Sequence, residues 1–326
     1  MNKLFKTLIL ISAICFAPDY CNAQNRSCIN YDESSVTIFS PSVRDTVRLF
    51  IISDTHLFHS DAREEPYRQY SARMARAYNK TRHFQTGAET NPEECLRASM
   101  KLAQEFRADA ILNLGDLINF PSEYGAELSI EIMNSSGIPW YFIEGNHDWH
   151  YEGLPGTEAA LREEWSAKRL SKLYKGQDHL NYAVNIKGLK ILMVSDGTHE
   201  ILPSQVNFLK KQLKSNEPTI LCMHVPLYAP GRSDRSFTIG NPNWGAAVDK
   251  GFKAERRPRW PEHHAQADYD FYDTAIEGHS KHNLLAAFCG HVHVQTSSIL
   301  KGLPMYTLKD NASGGYLKVT VIPIEK

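Results

Sequence analysis

A chain of 326 residues, 42% hydrophobic and 22% charged, has the composition of a globular protein able to bury a sizeable core. Its formal net charge of −1 excludes a globally basic nucleic-acid-binding protein and gives no electrostatic argument for a membrane partner. A local basic patch stays open.

Lys3 and Lys6 precede an apolar run at residues 8–16, interrupted only by Ser12, and Cys21-Asn22-Ala23 follows. This is the order of a secretory signal peptide over residues 1–23, and the run is too short to span a bilayer. The expectation is a periplasmic or secreted protein whose residues 24–326 form one domain. A lipid anchor at Cys15 is a minor alternative, since Ile14 is not the small residue such a site wants. Export would leave Cys28, Cys95, Cys222 and Cys289. Cys222 and Cys289 lie in apolar strand segments, so Cys28 with Cys95 is the candidate disulfide.

A polar, weakly structured start leads to a β-branched strand at 47–53. Residues 61–80 carry Tyr67, Tyr70 and Met74 at helical spacing. Asn91 as cap, Pro92 at the first position and Glu94 closing a capping box announce the next helix, to 106. Strand 110–114, helix 123–134, strand 140–143 and a helix at 158–170 follow. Strands 180–186 and 189–194 turn at Lys187-Gly188, then come helix 203–214 and strand 219–223. A helix at 273–284, strand 285–289 and short strands at 295–300, 305–308 and 317–322 close the chain. Residues 229–264, rich in Pro, Gly, Arg and Trp without periodicity, read as a long insertion. There is no internal repeat. Alternating strands and helices followed by a run of strands indicate an α/β class.

Five short motifs each follow an apolar strand: Asp54-Thr55-His56, Gly115-Asp116, Gly145-Asn146-His147-Asp148, His224-Val225-Pro226 and Gly290-His291-Val292-His293. Ligands collect at the carboxyl ends of strands in open α/β sheets, so these distant residues are expected to meet on one rim. Carboxylate, imidazole and amide oxygen together suit Mn, Fe or Zn, and two ions need a bridging carboxylate, for which Asp116 is the candidate.

The order of these motifs resembles the calcineurin-like metallophosphoesterase superfamily. The resemblance implies a four-layer α/β/β/α sandwich, two mixed sheets flanked by helices. It implies a first metal held by Asp54, His56 and His293, a second by Asn146, His224 and His291, and Asp116 between them. It places His147 opposite the leaving group. Metal-acidified water would then attack phosphorus directly, with no covalent intermediate. Protein phosphatases of this superfamily carry Asp three places after the Gly-Asp carboxylate, and purple acid phosphatases carry a metal-binding Tyr there. This chain has Asn119, so Asp148 is the candidate partner of His147.

Specificity is expected from loops on the scaffold. Arg232 and Arg235 are candidate phosphate grips, Trp244 a candidate stacking surface and Asn119 a candidate substrate contact. A small-molecule phosphomonoester is the favoured substrate. A phosphodiester, and a non-catalytic protein that binds a phosphorylated ligand, remain alternatives. No nucleic-acid partner is expected, and the sequence says nothing of oligomeric state.

Overall fold

Successive side chains of a single strand face two different cores, and this alternation builds the layers. In β3 (Val47–Ile52), Leu49 and Ile51 enter a core shared with Ile191, Met193, Ile220, Cys222 and Phe288. Its other residues, Phe50 and Ile52, pack instead with Leu96, Met100 and Ile132 of helices. The structure is a computed structural model and describes residues 28–231, 238–244 and 263–324.

One sheet runs in the order β1 (Cys28–Tyr31), β2 (Ser35–Ser40), β14 (Leu317–Pro323), β3, β6 (Ala110–Asn113), β7 (Trp140–Phe142). The other runs β12 (Thr296–Leu300), β13 (Leu303–Thr307), β11 (Leu284–Cys289), β10 (Thr219–Met223), β9 (Leu189–Val194), β8 (Asn181–Ile186). A small hairpin joins β4 (Thr81–Arg82) to β5 (Glu89–Thr90). The sheets face each other across the Leu49/Ile191 core. Outside the first lie α3 (Pro92–Phe106), α4 (Glu123–Asn134), α5 (Glu158–Trp165) and α6 (Ser171–Tyr174). Outside the second lie α7 (Pro203–Leu213) and α8 (Gln266–Lys281). The four-layer α/β/β/α arrangement is the expected one.

Parallel pairing positions the site. β3, β6 and β7 are mutually parallel, as are β9, β10, β11 and β13. Their carboxyl ends therefore deliver the motif loops together.

Several expectations change. The segment 61–80 is not one helix but a 3-10 stretch (Ala62–Tyr67) containing Pro66, then single turns α1 (Arg68–Ser71) and α2 (Met74–Ala77). Proline inside a helix removes a backbone donor, which fits the break. The 158–170 helix passes into a π-turn after Trp165. The last helix starts at Gln266 rather than 273, because Asp268 accepts the Ala265 N–H and caps it earlier. Asn91 caps α3 by accepting from Glu94 N at 3.0 Å, but the Glu94 carboxylate takes the Thr90 hydroxyl instead of closing the box. β1 and β2 were not expected at all. β2 joins the sheet by pairing in parallel with β14 from the far end of the chain, Val36 opposite Val319. Cys95 is a free, buried thiol 3.4 Å from Thr90 Oγ1, so the expected disulfide is not formed. Cys222 and Cys289 are free and buried in their strands, as expected. No helix among the described residues is long and apolar enough to cross a membrane.

Candidate metal centre

Backbone pairing between β3 and β6 continues beyond both strands into the first two motifs. Asp54 N donates to Gly115 O at 2.9 Å, His56 N to Asp116 O at 2.8 Å and Leu57 N to Leu117 O at 3.0 Å. Asp54, His56, Asp116, His291 and His293 all take left-handed backbone conformations, with φ between +51° and +68°. Each costs a non-glycine residue about 1–2 kcal/mol, so tertiary contacts must hold them there. Gly115 shows how closely the loops meet. A Cβ on it would fall 2.5 Å from Gly145 N and 2.7 Å from His224 Nδ1.

Side chains from five loops then converge. His293 Nε2 lies 3.2 Å from Asp54 Oδ1 and 3.1 Å from His56 Nε2. On the other side, His224 Nε2 lies 3.3 Å from Asp116 Oδ2, and the His224 and His291 rings are 5.1 Å apart. Asp116 divides its two oxygens. Oδ1 accepts His147 N at 2.8 Å, while Oδ2 faces His224 and, at 3.9 Å, His56 Nε2 of the first group. His224 Nδ1 donates to Leu114 O at 2.7 Å, which turns Nε2 toward the carboxylate. Ligand atoms of Asp54, His56 and His293 lie within 4.8 Å of one another, as do those of Asp116, His224 and His291 and of His56, Asp116 and His147.

Burial opposes charge throughout, and the outcome depends on neighbours. Burial pushes the Asp54 and Asp116 carboxyls up, but His293 beside the first and His224 beside the second hold both below the usual range. Burial and the His224 charge push His291 down to about 3, and burial with His147 lowers His56, so both are neutral donors. For His224, burial is overcome by Asp116, which raises it to about 10. The proton drawn there is the one a metal ion would displace.

The family described as calcineurin-like phosphoesterase matches residues 47–295. The chain belongs to that family. Among solved structures, a dimetal phosphatase from Danio rerio is 11% identical with a TM-score of 0.52, over 85% of this chain and 93% of that one. A purple acid phosphatase from yellow lupin seeds is 13% identical with a TM-score of 0.49, over 89% of this chain and 49% of that one. At 11% identity, the likeness to the dimetal phosphatase speaks to fold alone. No curated protein matches the chain. Family membership makes the protein a metal-dependent phosphoester hydrolase with a dinuclear centre.

The residues suit two ions on their own evidence. The donor set is carboxylate and imidazole with one amide, and Asn146 Oδ1 is buried without a hydrogen-bond partner among the described residues. Two imidazole nitrogens 3.1 Å apart have the separation of neighbouring ligands on one metal, for bonds of about 2.0–2.1 Å.

Other expectations need correction. Asp148 does not partner the His147 ring. Its carboxylate accepts Asp116 N (2.7 Å), Gly145 N (2.8 Å) and Ile118 N (2.9 Å), tying two motif loops together. His147 Nδ1 instead donates, at 3.4 Å, to the main-chain oxygen of Asn119. Asn119 is fully buried and its amide donates to Met74 O, so it cannot reach a substrate from there. Trp244 is 3% exposed and packs on His264 (4.6 Å) and His199 (6.0 Å), which makes it an internal anchor rather than a stacking surface. Arg232 and Arg235 lie outside the described residues.

Sequence reading missed Tyr78, whose ring lies parallel to His56 at 4.1 Å and edge-on to His147 and His293. It also missed Asn311, which accepts Thr55 Oγ1 at 3.1 Å and donates from its backbone to Ser53 O at 2.8 Å. No strand-end motif marks either residue.

Proposed function

We propose that this enzyme is exported and hydrolyses small-molecule phosphomonoesters, with Mn, Fe or Zn at two sites. Asp54, His56 and His293 would hold one ion, Asn146, His224 and His291 would hold the other, and Asp116 would contribute to both. The observation that carries the reading is the placement of Asp116 Oδ2 between His224 and His56. When bound, the two ions supply Lewis acidity and an acidified water as nucleophile. The chain's own groups orient and neutralise. Asp116 Oδ1 fixes the His147 main chain, and Asn119 O fixes the His147 ring through Nδ1. Nε2 of His147 is thereby left facing the site, and it protonates the departing oxygen from the imidazolium form, which carries a proton on both nitrogens. Tyr78 and His56 form a stacked wall beside it.

Two carboxylates against two divalent cations leave the centre strongly cationic, which suits a terminal phosphate dianion better than the single charge of a diester. Export rests on the order Lys3, Lys6, residues 8–16 and Ala23. Protein stripped and reloaded with Mn, Fe or Zn is to be assayed on nitrophenyl phosphate and bis-nitrophenyl phosphate. The monoester should be favoured, in a metal-dependent way. Diester preference would overturn the substrate reading, and two bound ions without turnover of either would overturn the catalytic one. N-terminal sequencing of extracellular or periplasmic protein should begin at Gln24.

A further inference from the structure

Beyond β9 and Ser195, the residues Asp196-Gly197-Thr198-His199 belong to none of the five motifs. They touch all three loops that carry the second group's ligands. Asp196, fully buried, accepts His224 N at 3.0 Å and Val225 N at 3.0 and 3.1 Å, fixing the chain that aims His224. Gly197 lies against the Gly145-Asn146 peptide. A Cβ there would sit 2.8 Å from Gly145 C, 2.9 Å from its oxygen and 3.1 Å from Asn146 N. His199, 1% exposed, closes the turn by donating its N–H to Asp196 O at 2.8 Å and sets its ring edge-on to His291 at 5.1 Å. Its own φ is +61°, and its outer face is covered by Trp244.

We propose that this turn is the positioning element of the second metal site alone. Asp196, Gly197 and His199 are its positioning residues, one for each of His224, Asn146 and His291. Three ligands from three loops must reach one point within a few tenths of an ångström. A single turn that contacts all three couples their positions as independent supports would not. The first group is braced from elsewhere, by Asn311 and Ala312 on Ser53, Thr55 and Asp54 and by Lys309 Nζ on His293 O.

The inference rests on the two-site reading above, and metal binding rather than turnover tests it. Gly197→Ala is the sharpest variant. The backbone of Gly197 is not in the left-handed region, so alanine changes only the contact with the Gly145-Asn146 peptide. Manganese binding is to be measured by calorimetry and by electron paramagnetic resonance. The wild type should bind two ions with a coupled-pair signal. G197A should bind one ion tightly and the other about 10- to 100-fold more weakly, with an uncoupled signal at one equivalent. His199→Ala should do the same, and His199→Phe, which keeps the ring edge, should restore most of the affinity.

Site assignment comes from two backgrounds. With His56→Ala, which spoils the first site, G197A should weaken the remaining ion. With His291→Ala, which spoils the second, G197A should leave the remaining ion unchanged. Unchanged binding in G197A and H199A, or equal loss in both backgrounds, would overturn the proposal. A wild type that binds fewer than two ions would instead overturn the two-site reading. Thermal melting of each metal-free variant reports folding, and a failed fold in G197A leaves H199A and H199F to decide.

Discussion

The two halves of the metal centre use similar ligands but are held in different ways. In the first, Asp54, His56 and His293 all have left-handed backbones, and the segment after β13 braces them. In the second, only Asp116 and His291 do, while His224 and Asn146 reach the site from ordinary conformations and the turn after β9 supports them. The first half is walled by Tyr78, and His293 there keeps 27% of its side chain exposed, whereas His224 in the second is fully buried. The difference teaches that the first site carries more backbone strain, held by the segment after β13, while the second relies on packing from the turn after β9.

The strongest way to break that comparison is to remove what the halves share. Asp116→Ala should release both ions and lower kcat by about 10³-fold or more, seen in metal content and steady-state assay. Loss of only one ion would show that the halves do not depend on a common carboxylate. His147→Ala should lower kcat by about 10²- to 10³-fold while both ions remain, because it is assigned to the leaving group rather than to either half. Loss of an ion in that variant would make His147 a ligand, which its proximity to His56 and Asp116 would allow.

Asp148→Ala strands three buried N–H groups of the Asp116 and Gly145 loops, and should destabilise the fold by about 3 kcal/mol in urea denaturation. An effect on the pH profile without loss of stability would instead restore Asp148 as a partner of His147. Asn311→Ala sharpens the contrast directly. It removes the Thr55 contact and should weaken the first ion by about 10-fold while sparing the second, the converse of the turn after β9. The smallest effect is expected from Tyr78→Phe, which keeps the stack on His56, with metal affinity and kcat within about 2-fold of wild type.

The chemistry of the centre was legible in the sequence because its ligands sit directly after apolar strands, and a strand that is buried on both faces announces its own end. Ile52, Asn113, Phe142, Met223 and Cys289 each terminate a strand just before a motif. The layer order came with the family resemblance that these motifs carry. What could not be read there is what holds those ligands. Asp196, His199, Asn311 and Tyr78 gain their roles from pairings such as β10 with β9 and β13 with β11, which set distant strand ends side by side. Asp148 and Asn119 were misjudged for the same reason. With Asn119 where relatives carry an acid, Asp148 was the candidate partner of His147, but the buried carboxylate is surrounded by backbone donors of two loops, and burial favours the partners that satisfy all of them. Residue type and spacing thus determined which atoms can bind metal, a local property. Their distances, their supports and the division into two differently braced halves were decided only when the strand ends of two sheets came together, since hydrogen bonding and close packing act between neighbours in space.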